Sequence, residues 1–228
     1  MTITERQTES RRDLSAFFGL KGRVWRKGAC MLFDLTHVLK SGMPVYPGDP
    51  VTELVPIARY ESGGYRLTRL DTGLHAGTHI DMPSHFSADE RTASDLPLSC
   101  FITPARVFRP GDDMSCIREG EAVLIATGWD RHLGAPDYFT AHPVVSEAVA
   151  SLLISKNIRI LGLDTPSPDL PPFAVHRRLS EAGIFLAENL RGLCTLYEAA
   201  REQVFTFYAV PLKISAEASP IRAFAVLS

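Results

Sequence analysis

Short segments that are apolar throughout, or that alternate between apolar and polar residues, recur along the chain from residue 31 onward. Turn residues separate them, and segments of this length and pattern are typical of β-strands. They predict strands at LFDL (32–35), YRLTRL (65–70), ARVF (105–108), AVLIAT (122–127), IRILGL (158–163), GIFLA (183–187), FTFYAV (205–210) and AFAVL (223–227).

Two segments in the second half of the chain have the spacing of helices. In 145–155 the apolar positions follow the i, i+3, i+4, i+7, i+8 pattern of a helix that lies on a sheet. These positions are Val145, Ala148, Val149, Leu152 and Leu153. AVHRRLSEAG (174–183) predicts a shorter helix that ends at Gly183. Because strands dominate the first half and alternate with helices in the second, we predict a single α/β domain with a mixed β-sheet core and flanking helices.

Residues 1–30 are polar and rich in Arg and Lys, in contrast to the rest of the chain. We therefore predict an N-terminal extension at 1–30 and a packed domain at 31–228. The codons for KGAC, just before Met31, can contain a ribosome-binding purine run. We hypothesise that translation begins at Met31 and that 1–30 is a start-site artefact. A flexible or amphipathic tail is the alternative, and the intact mass of the native protein distinguishes the two.

The composition narrows the classes of function. With 228 residues, 45% of them hydrophobic, the chain can bury a sizeable core. Its formal net charge of −2 lacks the basic excess of nucleic-acid-binding modules, so we expect a small-molecule substrate and no nucleic acid.

Neither export nor membrane insertion is expected. The first residues lack the apolar core of a secretory signal, and no apolar run reaches the eighteen or so residues that span a bilayer. The four cysteines are far apart and form no C-x-x-C pair, which indicates neither a disulfide framework nor a zinc ribbon. A cytoplasmic location fits these features.

The segment LHAGTHIDMPSHF (74–86) places His75, His79, Asp81 and His85 within eleven positions. On one helix, His79 and Asp81 would be rotated about 200° apart, so the four side chains could not converge. On one strand they would share a face, but His75 and His85 would be roughly 33 Å apart. The segment must therefore bend, and Gly77 and Pro83 lie where bends would bring the side chains together.

These side chains are suitable ligands for a divalent metal. Imidazole nitrogen and carboxylate oxygen favour borderline ions such as Zn²⁺, Mn²⁺ or Fe²⁺, and the lack of cysteine argues against a purely structural zinc site. Burying three imidazoles and a carboxylate without a cation would cost several kcal/mol. A metal site is therefore the better interpretation of the cluster.

The same residues carry a resemblance to a known family. HAGTHIDMPSH fills the pattern H-x-G-T-H-x-D-x-P-x-H, which resembles the signature of the cyclase-like metal-dependent hydrolases that include bacterial kynurenine formamidase and isatin hydrolase. The resemblance implies a swivelling β/β/α fold. Further blocks resemble the family in the same order, and they are DLTHVLKSGMPVYPGDP, LIATGWD, GLDTPSPD, AVHRRLSEAGIFLAENL and VPLKISAEASPIRAFAV.

The resemblance implies that His75, His79 and Asp81 bind one metal ion and that Asp81 can bridge to a second. It adds His176 and Glu188 as further ligands, so that one or two ions, zinc or manganese, would be bound per subunit. The residues themselves are compatible with this, because Glu188 directly follows the apolar IFLA and would emerge at a strand end, where sites in α/β folds commonly lie.

Two further roles follow from the resemblance. His85 resembles the proton donor and acceptor of the family, a role that needs an imidazole free to exchange its proton. Tyr46 lies where formamidases carry tryptophan against the substrate ring, a departure that concerns the substrate more than the reaction. Trp129, Phe173 and Tyr138 are candidates for an aromatic pocket, although core packing is the more frequent role of such residues.

The implied activity is metal-dependent hydrolysis of a C–N amide bond, most concretely of N-formylkynurenine to kynurenine and formate. Opening of a cyclic amide, as by isatin hydrolase, and a noncatalytic metal- or ligand-binding protein on the same fold are the alternatives. A serine nucleophile is disfavoured, because no G-x-S-x-G is present and Ser84 and Ser167 lack an activating context. The resemblance also implies a homodimer or homotetramer.

Overall fold

The computed structural model describes residues 24–27 and 30–228. Within these residues twelve strands are formed, ten of them in one sheet. The strands are β1 (Val24–Lys27), β2 (Cys30–Asp34), β3 (Glu53–Ala58), β4 (Leu67–Asp71), β5 (His79–Asp81), β6 (Ile102–Phe108), β7 (Ala122–Ile125), β8 (Ile160–Leu163), β9 (Phe185–Glu188), β10 (Phe205–Tyr208), β11 (Ala218–Pro220) and β12 (Phe224–Leu227).

The sheet is parallel at its centre and antiparallel on both sides. Its order is β1-β2-β12-β10-β6-β7-β8-β9-β5-β11, and β6 to β9 pair in parallel. The described helices are α1 (Tyr60–Gly63), α2 (Glu147–Ser155), α3 (Ala174–Glu181) and α4 (Leu193–Ala200). The predicted single-domain α/β fold with a mixed sheet is confirmed.

Helices cover both faces of the parallel centre. In β7, Ala122 and Leu124 belong to the core that packs against α4, whereas Val123 and Ile125 belong to the core that packs against α2 and α3. Residues of such strands are buried on both faces, which explains why they form continuous apolar runs in the sequence. The central strands β8 and β9, whose carboxyl ends lead to the site, are therefore packed against helices on both faces.

All eight predicted strands and both predicted helices are present. One detail of the helix at 145–155 was wrong: Ala148 is exposed and Ala150 is buried in its place. The helix begins only at Glu147, capped by Ser146, so the buried face is rotated from the predicted stripe.

The N-terminal side of the sheet extends upstream of Met31. Strand β1 pairs antiparallel with β2, with Val24 opposite Phe33 and Lys27 opposite Cys30. The predicted boundary at Met31 and the start-site hypothesis stay predictions, and residues 1–23, to which they mainly refer, lie outside the described part of the chain. Among the described helices none is long and apolar enough to cross a membrane.

Strands β3 and β4 form a separate two-stranded ribbon. Every residue of β4 is exposed, and in β3 only Val55 and Ala58 are partly covered. A two-stranded ribbon of this kind has little stability of its own in water.

Candidate metal centre

The segment 74–86 bends at both predicted positions. Gly77 has φ 65°, a left-handed conformation that favours glycine, and a Cβ at this position would lie 2.8 Å from the flexible end of Met43 and displace it. Pro83 begins a 3₁₀ turn over Pro83–His85. Between the bends, β5 is a strand of only three residues.

The pairing of β5 with β9 brings two of the predicted ligands together. The strands are antiparallel, and His79 lies directly opposite Glu188. Asp81, two residues after His79, is on the same face of the strand. Three predicted ligands from two distant parts of the sequence thus meet on one side of the sheet.

Helix α3 supplies His176 to the same cluster. Asp169 Oδ2 accepts a hydrogen bond of 2.7 Å from the backbone N–H of Val175 and so holds the first turn of the helix. Ser167 Oγ lies 3.4 Å from Nδ1 of the buried His176 ring, which leaves Nε2 toward Asp81. His79 is held in a similar way, because its Nδ1 lies 2.8 Å from the carbonyl oxygen of Gly77.

Asp81 is at the centre of the cluster. Its Oδ1 lies 2.9 Å from His75 Nδ1 and 3.4 Å from His79 Nε2, and its Oδ2 lies 3.5 Å from His176 Nε2. Glu188 Oε2 lies 3.5 Å from His79 Nε2. All five predicted ligands therefore converge, with Asp81 in contact with three imidazoles.

The geometry fits a divalent ion. Two ligand atoms that each lie about 2.1 Å from a tetrahedral ion are about 3.4 Å apart, close to the separations of 3.4 and 3.5 Å found here. Several buried donor and acceptor atoms make no aligned hydrogen bond within the described structure, and they are His79 Nε2, both Asp81 oxygens, His176 Nε2 and Glu188 Oε1. A bound cation would satisfy them, as buried polar atoms generally require a partner.

Two overlapping sets of ligand atoms are present. The atoms of His75, His79 and Asp81 lie within 4.8 Å of one another, and so do those of Asp81, His85 and His176. Asp81 belongs to both sets, which is the arrangement expected of a carboxylate that can bridge two ions. Because His85 belongs to the second set, geometry alone allows it either to bind metal or to carry a proton.

The two buried carboxylates have opposite electrostatic environments. For Asp81, burial opposes the charged form, but the imidazoles of His79 and His75 outweigh it and hold its pKa well below the usual range. Burial, together with the charge of Asp81, raises the pKa of Glu188. The repulsion between these carboxylates is a further reason why a cation would stabilise the cluster.

His75 and His85 are also in contrasting environments, although their ring centroids are only 4.2 Å apart. Burial lowers the pKa of His75, but Asp81 more than compensates and raises it to about 9. Burial lowers the pKa of His85 to about 4, with the carboxylates only partly offsetting it. His85 is therefore neutral near pH 7, as a proton acceptor must be, and a nearby metal ion would favour its neutral form further.

These shifts predict the titration of the metal-free protein. A pKa below the ordinary 6.5 means that His85 stays neutral as the pH falls through 6 and 5, whereas His75 stays protonated up to about pH 9. Imidazole Cε1–H signals recorded by NMR from pH 3.5 to 10 measure both values, with His75→Asn and His85→Gln spectra for assignment. A midpoint for His85 between pH 6 and 7 would contradict the electrostatic environment described here.

The cluster forms the floor of a cavity of about 230 Å³. All the predicted site residues line it, including His85 and Tyr46, and further lining residues are Asp49, Phe86, Phe139, Pro166, Ser167, Phe173 and Asn189. Tyr46 packs edge-on to Phe139 and Phe173, at centroid distances of 5.8 and 6.4 Å. The cavity thus combines a polar floor with aromatic walls.

The sequence did not reveal every residue of the cavity. Phe86 and Asn189 directly follow His85 and Glu188, and Phe139 follows the candidate Tyr138, so proximity to predicted residues could have suggested all three. Of the three candidate aromatic residues only Phe173 lines the cavity. Trp129 stacks on His132, and Tyr138 is fully buried behind Asn189.

A mixed α/β sheet with this donor cluster beside the carboxyl ends of its parallel strands is the arrangement of a cyclase-like metal-dependent hydrolase. The family model described as "Putative cyclase" matches residues 33–115 and 109–170. The chain belongs to this cyclase family, as the motif at residues 75–85 indicated.

Relatives and solved structures agree with this assignment. The chain is 30% identical over 204 residues to a kynurenine formamidase of Bacillus cereus, covering 83% of this chain and 94% of the relative. Isatin hydrolase A from Labrenzia aggregata, bound to benzyl benzoate, has a similar fold with a TM-score of 0.76 and 25% identity over 88% of this chain and 94% of that one. A structure described as a potential metal-dependent hydrolase with cyclase activity has a TM-score of 0.71 and 27% identity over 88% of this chain and 100% of that one.

Proposed function

We propose that the protein hydrolyses a C–N amide bond with metal-activated water, as an arylformamidase that converts N-formylkynurenine to kynurenine and formate. The observation that carries this proposal is the convergence of five ligand side chains and a neutral histidine under aromatic walls in one cavity. The similarity to a kynurenine formamidase over most of both chains supports the choice of substrate. The donor set of imidazoles and carboxylates fits Zn²⁺ or Mn²⁺, with one or two ions per subunit.

The chain's own residues supply orientation and proton transfer. A divalent ion held by His75, His79, Asp81, His176 and Glu188 would acidify a water molecule and polarise the amide carbonyl. Tyr46 and its aromatic neighbours would hold the aryl ring of the substrate. An imidazole nitrogen of neutral His85 would accept a proton from the attacking water and return it to the departing nitrogen, so that the amine leaves neutral.

Opening of a cyclic amide is the second candidate reaction. The similarity to isatin hydrolase A favours it, and the same aromatic walls would accept a fused aryl lactam. The identity to the kynurenine formamidase is somewhat higher, at 30% against 25%, and this supports the open-chain formamide as the first candidate.

An assay of the metal-loaded protein against N-formylkynurenine and isatin tests the proposal. Turnover of N-formylkynurenine, seen as stoichiometric kynurenine and formate, is the expected result. A clear preference for isatin would replace the formamidase proposal with the lactam one, and turnover of neither would contradict both substrate assignments.

We also propose that the protein acts on small molecules in the cytoplasm, without a membrane or nucleic-acid partner. All four cysteines are unpaired in the structure, as is usual in a reducing compartment. Detection of the native protein in the soluble fraction, separate from membranes, is the expected result of cell fractionation.

The ribbon of β3 and β4 supports a further proposal, that the protein is a homodimer or a tetramer of such dimers. Large apolar side chains on and beside the ribbon expose 37% to 60% of their surface, and they are Val51, Leu54, Ile57, Tyr60, Tyr65, Leu67 and Leu70. This is on the order of 600 Å² of exposed apolar surface. It approaches the roughly 800 Å² that each partner contributes to a stable complex.

A second copy of the chain is the occupant that best fits the ribbon. Its charges are balanced, with three arginines against three acidic residues, so two ribbons can approach without net repulsion. These residues are Arg59, Arg66, Arg69, Glu53, Glu61 and Asp71. A two-stranded ribbon also has open edges on both sides, which a second copy can cover.

Leu70→Glu is expected to dissociate the dimer, because it places a charge on an apolar surface opposite Leu54. At micromolar concentration, analytical ultracentrifugation should show at least a twofold lower mass than the wild type. Leu98→Glu is the matched control, since Leu98 is 62% exposed outside the ribbon. A monomeric wild type, or a Leu70→Glu variant with the mass of the control, would contradict the proposal.

A further inference from the structure

Three hydrogen bonds hold Asn189 in place. It directly follows the predicted ligand Glu188 and has φ 52°, in the left-handed region. Its backbone N–H donates to the carbonyl oxygen of Thr165 at 3.0 Å, and its own carbonyl accepts from Thr78 Oγ1 at 2.6 Å. Its side-chain Oδ1 accepts from the Tyr138 hydroxyl at 2.8 Å.

These contacts fix the orientation of the side-chain amide. Burial raises the pKa of Tyr138, so its hydroxyl stays protonated and donates to Oδ1. Tyr138 is fully buried, whereas Asn189 is 5% exposed and lines the cavity. Because Oδ1 is bonded to Tyr138 and the residue lines the cavity, Nδ2 is the amide group available to donate into it, and no hydrogen bond of Nδ2 is found among the described residues.

The cavity otherwise has few neutral donors. Its floor consists of carboxylates and imidazoles that would bind metal, and its walls are aromatic. Among the described lining residues, Ser167 faces His176, and Tyr46 is 38% exposed at the aromatic wall. The amide of Asn189, next to Glu188, is thus the neutral donor that is rigidly held beside the cluster.

We propose that Asn189 Nδ2 donates a hydrogen bond to the oxygen of the scissile carbonyl and stabilises the negative charge that develops there. The proposal rests on the amide hydrolysis proposed above. As the bond from water oxygen to carbonyl carbon forms, the C=O π pair moves to the oxygen that faces Nδ2. When the C–N bond breaks, the pair returns and the nitrogen leaves with the proton from His85. Donors fixed in advance at such an oxygen need no reorganisation during the reaction.

Asn189→Asp and Asn189→Gly test the proposal. The first keeps the shape and the acceptor for Tyr138 but removes the donor, and the second removes the amide while tolerating the left-handed backbone. Each should lower kcat by about 100-fold, as expected for loss of one such donor, with a smaller rise in KM and with metal content unchanged. Tyr138→Phe, which frees the amide to rotate, should give a smaller loss, again mainly in kcat.

Asn157 provides the matched control. It also has a left-handed backbone, with φ 48°, but it lies before the amino end of β8, away from the carboxyl ends where the metal cluster lies. Its Nδ2 donates a hydrogen bond to Glu119. Asn157→Asp and Asn157→Gly should retain wild-type kcat. Equal losses at both asparagines would assign the effect to the backbone conformation and overturn the proposal, as would a wild-type kcat in Asn189→Asp.

A binding measurement separates this proposal from the proposed function. In the His85→Ala background, calorimetry compares N-formylkynurenine, which has the scissile formyl carbonyl, with kynurenine, which lacks only that formyl group. Asn189→Asp should weaken only the formyl compound. Equal affinities with and without the substitution would overturn the role of Asn189, whether or not the wild type hydrolyses this amide. Failure of the wild type to hydrolyse N-formylkynurenine, with the selective weakening still present, would count against the proposed substrate alone.

Discussion

His79→Ala is expected to remove both the bound metal and the hydrolytic activity. His79 Nε2 lies between Asp81 and Glu188, at 3.4 and 3.5 Å, so its loss leaves two buried carboxylates without the ligand that links them. Metal affinity should fall by at least about 100-fold, more than is typical for the loss of a residue that only supports a ligand. Elemental analysis after dialysis, together with turnover at saturating substrate, measures the two effects.

His132→Ala is the control for the loss of a histidine as such. His132 stacks on Trp129 and is not among the cavity-lining residues. The His132→Ala variant should retain metal and activity, and circular dichroism should show that both the His79→Ala and His132→Ala variants are folded. Unchanged metal content and turnover in His79→Ala would show that the site described here is not the catalytic one.

His85→Ala is expected to lower kcat by about 10² to 10⁴-fold while the protein keeps its metal. His85 is the imidazole beside the cluster that burial keeps neutral near pH 7, so its ring nitrogen is available to accept a proton from water and pass it to the leaving nitrogen. The measurement pairs single-turnover kinetics with elemental analysis. His85→Gln should behave similarly, since an amide cannot exchange a proton in this way.

His85→Ala also shows whether His85 is a metal ligand, a proton carrier or a residue without a catalytic role. Because His85 also lies within reach of Asp81 and His176, a loss of metal in His85→Ala would make it a ligand rather than a proton carrier. A variant that keeps both metal and full turnover would contradict any catalytic role of His85. The noncatalytic alternative would require that the wild type itself lacks turnover, which is not what its enzyme relatives lead us to expect.

The central strands could be predicted because they are buried on both faces and so form continuous apolar runs. Other elements could not be predicted from the sequence, for physical reasons that differ from one element to the next. Pro56 interrupts β3, and β5 is only three residues long, fixed by its neighbours in the sheet rather than by local pattern. Helix α4 begins after a left-handed Gly192 without a side-chain cap, so the usual start signal is absent.

The site was predictable where its residues are close in sequence. Three histidines and an aspartate within eleven positions, with Gly77 and Pro83 between them, indicated both the metal chemistry and the bends. His176 and Glu188 needed the family resemblance, because only the pairing of β5 with β9 and the packing of α3 bring them to the cluster. The donor role of Asn189 depends on its contact with Tyr138, which no local sequence pattern encodes.

The central claim is that these imidazoles and carboxylates hold a divalent cation that the hydrolysis requires. Elemental analysis of the purified protein, combined with turnover before and after removal of metal by a chelator, tests it most directly. We predict one or two equivalents of zinc or manganese per chain, loss of turnover with the metal, and recovery when either ion is returned. A protein that binds neither ion, or that keeps full turnover after its metal has been removed, would contradict the account.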